Sequence, residues 1–465
     1  MNRYLVIVCA SVSTFAMGCG VMGGEHGSKA HGEQESALEE LNDSGDDQVL
    51  NRAVFSQVQE TLQNEIASKP ECDLMCTVKR WVGEERYAEA REVLETEVEE
   101  SPLKIENVVA LTSVNIMDEE YSKAYEWAQT YIDEGFSNIR LMENRAVASM
   151  LGHDVETAFE DFRVLIAKLQ SMIQKSETSI CDPLQNYCTS PERHEARAWV
   201  NLATVQYDRG QLDEAEKIAK NLLEDKDMRT RVSPTHGEFL LALIAGKRNK
   251  DHEAKERYAR ILERHPTAPG ALNNMGGIYY RAHDLVKARA YFESAYVNGR
   301  MWRRGSAIAW SNVGEVDFIE GDYEAAEDKL KEAAGMSKAF AGADFSLGCL
   351  YDVMGKHELS KRHIALAMKN DQNGVTRWNS YHYTTEWEAH FNALIAEHDG
   401  NEQEAKALWT GLLNADEERL QASARRHLNL DELDNPITFE PMGWELGEHN
   451  ILPSSDVGMQ WNHLD

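Results

Sequence analysis

The chain is poor in residues that break helices and poor in positive charge. Its 465 residues include only 10 prolines and 30 glycines. Ala, Leu, Glu, Lys and Arg recur throughout, and because all five favour helices, the composition predicts an all-α fold. Basic residues number 48 against 79 acidic ones, which gives a formal net charge of -31. A surface this anionic repels nucleic-acid phosphates, so we predict no nucleic-acid partner.

Motifs for catalysis and for cofactor binding are also missing. No His-Glu-x-x-His, Gly-x-Ser-x-Gly or Gly-x-x-x-x-Gly-Lys sequence occurs. The stretch from Gly18 to Gly23 fits Gly-x-Gly-x-x-Gly only formally, because it follows an apolar N-terminal segment and not a strand of a βαβ unit. We expect the many carboxylates to lie on solvent-exposed helix faces. We therefore predict no enzyme, no cofactor and no metal site.

The N-terminus has the features of an export signal. Arg3 precedes an apolar stretch, residues 4–17, that is too short to span a bilayer as a mature helix. The stretch ends in Ala16-Met17-Gly18-Cys19, which resembles the lipobox of bacterial lipoproteins, although that motif prefers other residues at Ala16 and Met17. The resemblance implies cleavage after Gly18 and lipid on Cys19. An ordinary small-x-small signal-peptide site would be cut at the same place.

A spacer follows the predicted anchor. Residues 20–48 are rich in Gly, Ser and acidic residues and contain one lysine, Lys29. This composition predicts a disordered acidic linker, which would hold a folded body away from the membrane. Residues 49–66 are expected to form a capping helix. Gly20 after the predicted lipidated cysteine is compatible with sorting to the outer membrane in lipoproteins.

The other cysteines suit an oxidising compartment. Cys72 and Cys76 are four residues apart, and Cys181 and Cys188 flank a turn-like segment. We predict one local disulfide in each pair; a zinc site is the alternative, although no histidine pair lies at ligand spacing. Cys349 is expected to be a small packed side chain.

A repeated pattern organises most of the chain. Gly276, Gly314 and Gly348 each precede an aromatic residue by three or four positions, and a second small residue follows about twelve positions after the first two glycines, at Ala288 and Ala326. The segment Gly321-Asp322-Tyr323 marks a turn. These residues resemble the tetratricopeptide repeat (TPR) in type and spacing. The resemblance implies a right-handed superhelix of antiparallel helix pairs, in which small residues lie where helices cross.

Nine units are expected, beginning near residues 71, 105, 139, 196, 235, 269, 307, 341 and 386. Several intervals are 34 residues, the TPR length. The predicted organisation is a signal peptide (1–18), a lipidated linker (19–48), a capping helix with degenerate units (49–170), an insertion with a cysteine pair (171–195), well-matched units with an end helix (196–430) and an irregular tail (431–465). A second insertion covers residues 373–385. We expect the tail to lie along the final repeat.

TPR proteins use their concave side, which is lined by the first helix of each pair. The resemblance places ten residues at inward positions, and one slot is aromatic in three units (Tyr207, Tyr280 and Phe318). This stripe either binds a peptide or packs between helices. The Lys–Asn pair with which some TPRs bind a C-terminal carboxylate does not occur at the corresponding concave positions. The predicted groove residues are Tyr207, Asn273, Tyr280, Arg281, Ser311, Glu315, Phe318, Phe345, Asp352 and His390.

The second insertion carries four large aromatic residues within ten positions. They either fill the space between the last two units or form an exposed patch for a partner. The four residues are Trp378, Tyr381, Tyr383 and Trp387.

Together the repeat and the lipobox resemble TPR lipoproteins of the bacterial outer membrane. The resemblance implies a lipid-anchored scaffold, facing the periplasm, that binds a protein or peptide partner during assembly of an envelope complex such as gliding-motility or type IV pilus machinery. Two alternatives stay open: an envelope enzyme or modifying factor with accessory repeats, and a soluble periplasmic adaptor.

Overall fold

The protein is a row of antiparallel helix pairs. The computed structural model describes residues 73–177, 179–184, 188–299, 303–381, 385–416, 418–430 and 443–444. The predicted signal peptide, linker and capping helix, with Cys19 and Cys72, lie outside these residues, as does the tail apart from residues 443–444. Within the described residues there are 21 helices and four two-residue strands. The predicted all-α TPR solenoid is confirmed.

Nine helix pairs, units one to nine, follow one another. Their first helices begin close to the expected residues, except that two start earlier, at Pro191 and Arg303. In order, the pairs are α1 (Leu74–Gly83) and α2 (Tyr87–Glu100), α3 (Ile105–Met117) and α4 (Tyr121–Asp133), α5 (Ile139–Leu151) and α6 (Val155–Gln174), α7 (Pro191–Asp208) and α8 (Leu212–Glu224), α10 (Pro234–Lys247) and α11 (Asp251–Arg264), α12 (Pro269–Arg281) and α13 (Leu285–Gly299), α14 (Arg303–Glu320) and α15 (Tyr323–Met336), α16 (Gly342–Val353) and α17 (His357–Asn370), and α19 (Thr385–His398) and α20 (Glu402–Leu412).

Additional elements lie between the pairs and at the end. The short helix α9 (Lys226–Arg231) precedes unit five, and α18 (Val375–Trp378) lies in the second insertion. Strands β1 (Ile180–Cys181) and β2 (Cys188–Thr189) form an antiparallel hairpin in the first insertion. Strand β3 (Ser380–Tyr381) pairs antiparallel with β4 (Gly443–Trp444). Helix α21 (Glu418–His427) follows the ninth pair.

Local sequence signals set the helix boundaries. Prolines 191, 234 and 269 each begin a first helix, where the missing N–H costs no hydrogen bond. At the predicted turn, Gly321 has a φ of +87°, and the Asp322 side chain caps α15 by accepting a hydrogen bond from the Ala325 N–H at 3.1 Å. The turn therefore ends one helix and starts the next within three residues.

Close packing explains why small residues recur. A Cβ added to Gly276 would lie 2.7 Å from the ring of Phe292 on the paired helix, and one added to Gly348 would lie 2.6 Å from Ile364. On the second helices Ala288 and Ala326 are fully buried. These contacts bring the two helices of a unit together and let the next unit pack against them.

In the described part of the chain, no helix is long and apolar enough to cross a bilayer.

Candidate functional site: the inner face of the solenoid

The first helices of several neighbouring units contact one another, and buried polar side chains join some of these pairs. Between α3 and α5, the Asn144 amide donates to Thr112 at 2.8 Å and to Ser113 at 2.9 Å. Between α12 and α14, the Asn312 amide donates to the Asn273 side-chain oxygen at 2.9 Å. These side chains are almost fully buried, so the hydrogen bonds offset the cost of removing them from water and fix the register of successive units.

The predicted aromatic stripe is not open to a partner. Tyr207, Tyr280 and Phe318 are each 0% exposed. Tyr280 belongs to an apolar cluster with Phe292 and residues of α14, and Phe318 meets the Tyr323 ring edge-on at 5.6 Å. The prediction of a peptide-binding stripe is therefore wrong in this structure. Its alternative, packing between helices, describes these residues.

Most of the other predicted groove residues are buried as well. Asn273, Ser311, Glu315 and Phe345 have no exposed surface, and a carboxylate oxygen of Glu315 accepts a hydrogen bond from Ser346 on the next first helix. Arg281 keeps part of its side chain exposed and pairs with Asp251 at 2.7 Å. As contact residues for a partner the four buried residues fail, because a partner cannot reach their side chains, whereas the partly exposed Arg281 stays a prediction.

Two of the predicted residues lie together near the end of the array. Asp352, near the end of α16, and His390, on α19, are each 1% exposed, and the Asp352 Oδ2 atom lies 3.8 Å from the His390 Nε2 atom. Nearby, the rings of Phe345 and Phe391 meet edge-on at 5.2 Å. The structure thus joins units eight and nine through a polar and an apolar contact.

The described part of the tail does not lie along the final repeat. Strand β4 pairs with β3 and contacts α12 and α14, the first helices of units six and seven. The expectation for the tail is therefore wrong for residues 443–444. An extended segment of this chain occupies the side of the solenoid to which first helices contribute.

Trp378 of the second insertion does not lie between the last two units. The ring of Trp378 contacts Tyr207 of unit four at 6.3 Å, and the Lys247 ammonium of unit five lies 4.5 Å from its centre. Trp378 remains 36% exposed. Tyr381 forms part of β3, Trp387 lies in α19, and Tyr383 lies outside the described residues. The predicted location of the insertion between the last two units is therefore wrong for Trp378.

Contacts between distant units close the superhelix along a line that we call the seam. Its N-terminal side consists of the turns of units two and three, and its C-terminal side of the start of α14, the loop 337–341 and the second insertion. Arg304 donates to the Leu151 carbonyl at 3.3 Å and lies 2.7 Å from the His153 Nε2 atom. The Glu119 carboxylate accepts from the Ser337 hydroxyl at 3.0 Å and from the Lys338 N–H at 2.7 Å. Asn373 of the insertion donates to the His153 carbonyl.

Electrostatics at the seam follow from its burial. Burial, together with the positive charge of Arg304, holds the pKa of His153 well below its ordinary value. The neutral imidazole can therefore accept a hydrogen bond from the Arg304 guanidinium. Burial also raises the pKa of Glu119, although the donors around it oppose that shift. Sequence reasoning missed the seam because its contacts join residues more than 150 positions apart.

The cysteines occupy distinct environments. Cys181 and Cys188 face each other across β1 and β2 and are joined by a disulfide. Cys76 lies on α1, whereas its predicted partner Cys72 is outside the described residues. Cys349 is buried with a free thiol, and burial raises its pKa. A buried, protonated thiol fits the packing role expected for Cys349.

Comparison with known proteins places the repeat in the middle of the chain. Residues 239–301 match the family model described as Tetratricopeptide repeat. No curated protein matches the sequence significantly. An all-α solenoid with such repeats is the architecture of a protein-interaction scaffold.

Several solved structures are similar to this chain. One is the APC/C hetero-tetramer Cut9-Hcn1, with 15% identity and a TM-score of 0.39; the match covers 64% of this chain and 53% of that one, about half its length. A tetratricopeptide repeat protein from Parabacteroides merdae has 16% identity and a TM-score of 0.41, covering 63% and 97%. The apo form of the quorum sensor NprR from B. thuringiensis has 14% identity and a TM-score of 0.42, covering 73% and 98%.

Proposed function

We propose that this chain is a lipid-anchored scaffold that binds an extended segment of a partner protein on the inner side of its solenoid. Lipid on Cys19 would hold it in the bacterial outer membrane, facing the periplasm. The acidic linker would hold the folded part away from the membrane surface. The partner would belong to an envelope assembly such as gliding-motility or type IV pilus machinery. Tethering raises the local concentration of a partner to about the millimolar scale, so the individual contacts can be weak.

One observation carries the binding part of the proposal. Strand β4 is an extended segment that pairs with β3 and contacts α12 and α14. Backbone pairing with an exposed strand is a general way of recognising extended peptides. Because the tail already uses this surface, a partner segment would either replace β4 or extend the two-stranded sheet.

A peptide experiment tests this binding mode. A chain ending at Leu430 lacks β4 and should bind a labelled peptide of residues 439–448, measured by fluorescence anisotropy. The full chain should bind the same peptide at least tenfold more weakly, because its own tail competes. A scrambled peptide is the control, and circular dichroism verifies that the shortened chain keeps its helices. Equal binding by the full and the shortened chain would contradict the proposal.

The anchor needs a separate test in cells. Replacing Cys19 with Ala should move the protein from the membrane fraction to the soluble fraction, because no acyl chains can then be attached. Cys9→Ala is the matched control, since Cys9 lies within the predicted signal peptide and should not affect fractionation. Unchanged membrane association of Cys19→Ala would refute the anchor and leave the peptide-binding proposal intact.

A further inference from the structure

Three side chains near the end of the array bring potential metal ligands together. Asp352 lies near the end of α16, His357 begins α17, and His427 ends α21. One donor atom from each lies within 4.8 Å of the others. Asp352 Oδ1 is 3.2 Å from His357 Nδ1 and 3.0 Å from His427 Nε2. In tetrahedral zinc sites with bonds of about 2.0–2.1 Å, donor atoms lie about 3.3 Å apart.

The local fold fixes these positions. Asp352 and His357 are separated by a tight turn in which Gly355 has a φ of +70°, so both side chains reach the same side of unit eight. On α21, one turn before His427, the Ser423 hydroxyl donates to Asp352 Oδ2 at 3.0 Å. The second carboxylate oxygen therefore faces Ser423 and, at 3.8 Å, His390 Nε2, whereas Oδ1 lies beside His357 and His427.

A second layer of contacts orients His427. Its Nδ1 atom is 2.8 Å from the Glu397 carboxylate, and the Trp409 indole N–H donates to the same oxygen at 2.7 Å. The Trp409 ring also stacks on His427, with centroids 4.1 Å apart and planes 9° apart. A carboxylate on one ring nitrogen is the usual support of a metal-bound histidine, because it directs the lone pair of the other nitrogen to the ion.

Access to this cluster is from one side. The Asp352 side chain is 1% exposed, that of His427 13% and that of His357 43%. An ion could enter beside His357, and a water molecule could complete four-fold coordination there. Two imidazoles and one carboxylate form a donor set that suits zinc and related divalent transition metals better than Mg²⁺ or Ca²⁺, which prefer oxygen ligands.

We propose that Asp352, His357 and His427 form a binding site for Zn²⁺ that fastens helix α21 to unit eight. The ion replaces the proton that His427 Nε2 would otherwise share with Asp352. Glu397 and Trp409 are positioning residues, because they act on the ion only through His427. The site stabilises the helix from which the chain continues towards β4, and it does not depend on the function proposed for the inner face.

Zinc titration of the chelator-treated full-length chain tests the proposal. We expect one bound Zn²⁺ per chain by calorimetry and elemental analysis, and a higher melting temperature with Zn²⁺ but not with Mg²⁺. His357→Ala should weaken zinc binding at least tenfold, and because His357 is half-exposed, the variant should fold. Glu397→Gln should weaken binding about tenfold, as loss of a second-layer carboxylate does.

His363→Ala is the matched control. His363 lies on the same helix as His357 and pairs with Asp344 at 2.8 Å, but it belongs to no three-residue donor group among the described residues. This variant should bind zinc as the parent chain does. The Co²⁺-loaded chain should show no thiolate charge-transfer band, which separates this site from the cysteines. Absence of stoichiometric zinc, or equal binding by His357→Ala, would overturn the proposal and leave only a charged hydrogen-bond cluster.

Discussion

At the scale of single residues, the glycines at helix crossings determine how closely the two helices of a unit pack. Gly276 lies against Phe292, which is fully buried and cannot move its ring without displacing neighbours. By contrast, a Cβ on Gly411 of α20 would meet nothing within 4 Å. Position 276 therefore has no room for a side chain, whereas glycine at position 411 only lowers helix propensity.

These environments predict opposite effects of one substitution. Gly276→Ala should lower the free energy of unfolding by about 1–3 kcal/mol, because the added methyl group overpacks the crossing. Gly411→Ala should be neutral or stabilise by up to about 1 kcal/mol, since it improves helix propensity without a clash. Urea unfolding followed by circular dichroism measures both.

A second substitution identifies the cause. In a Phe292→Leu background the smaller side chain leaves space for the new methyl group, so Gly276→Ala should cost much less than in the parent chain. An equal cost in both backgrounds would show that contact with Phe292 is not the reason for glycine at this position.

At the scale of elements, the β1–β2 hairpin connects units three and four through buried charges. Arg140 on α5 contacts Asp182 of the hairpin and pairs with the Glu143 carboxylate at 2.7 Å. His194 on α7 contacts Glu143 through Nδ1 and Thr189 through Nε2. Burial lowers the pKa of His194, so the neutral ring donates to Glu143 and accepts from the threonine hydroxyl.

The charge of Glu143 gives this cluster a pH dependence. Burial opposes its ionisation, but His194 and Arg140 outweigh burial and hold the pKa of Glu143 well below its ordinary range. A carboxyl whose pKa is depressed on folding adds stability above its unfolded pKa of about 4.3, and that stability is lost as the pH falls towards the folded value.

We therefore expect Glu143→Gln to cost roughly 2 kcal/mol at pH 7, because a buried charged hydrogen bond is lost. The difference from the parent chain should shrink by roughly 1.4 kcal/mol per pH unit below about 4.3 and nearly disappear by about pH 3. Urea unfolding of both chains at each pH provides the measurement. Glu160→Gln, at a largely exposed pair with Arg163, should change stability little at either pH. If the loss of stability in Glu143→Gln did not change with pH, the depressed pKa of Glu143 would be contradicted.

The elements show what a sequence can predict. The spacing of Gly314, Phe318, Gly321 and Ala326 is local, since one helix pair repeats the same packing every 34 residues, and the positions of the pairs follow from it. The role of a residue at an inward position cannot be predicted from local spacing. Whether Tyr207 or Phe318 faces a partner or a neighbouring helix depends on how far successive units rotate, and no spacing within one unit contains that information.

At the scale of the whole molecule, we expect the seam to limit how far the superhelix can open. The turns of units two and three meet the start of α14, the loop 337–341 and the second insertion through Glu119, Arg304 and Asn373. A repeat array whose units contact only their neighbours could open and close by small changes at every interface between units. Here contacts across the seam couple the N-terminal half of the array to the C-terminal half, and β4 lies against the first helices of units six and seven. Opening the seam should therefore change access to the surface that β4 occupies.

Glu119 offers a specific way to loosen the seam. Its carboxylate accepts hydrogen bonds from the Lys338 N–H at 2.7 Å and the Ala339 N–H at 3.3 Å. In Glu119→Gln the amide oxygen can still accept from these N–H groups, but the negative charge that strengthens both hydrogen bonds is lost, so we expect a loss of about 1.5 kcal/mol at this contact. That loss corresponds to about tenfold faster hydrogen–deuterium exchange at residues 338–339. Combined with Arg304→Gln, it should increase the radius of gyration in small-angle X-ray scattering.

Glu85 provides the matched control for that experiment. It occupies the equivalent turn of unit one, with a φ of +59° against +61° at Glu119, and it is exposed. Glu85→Gln should therefore change neither exchange at residues 338–339 nor the scattering profile. If Glu119→Gln with Arg304→Gln leaves the radius of gyration unchanged, the helix pairs alone set the curvature of the solenoid. The seam would then be a consequence of that curvature and could not control access to the β4 surface.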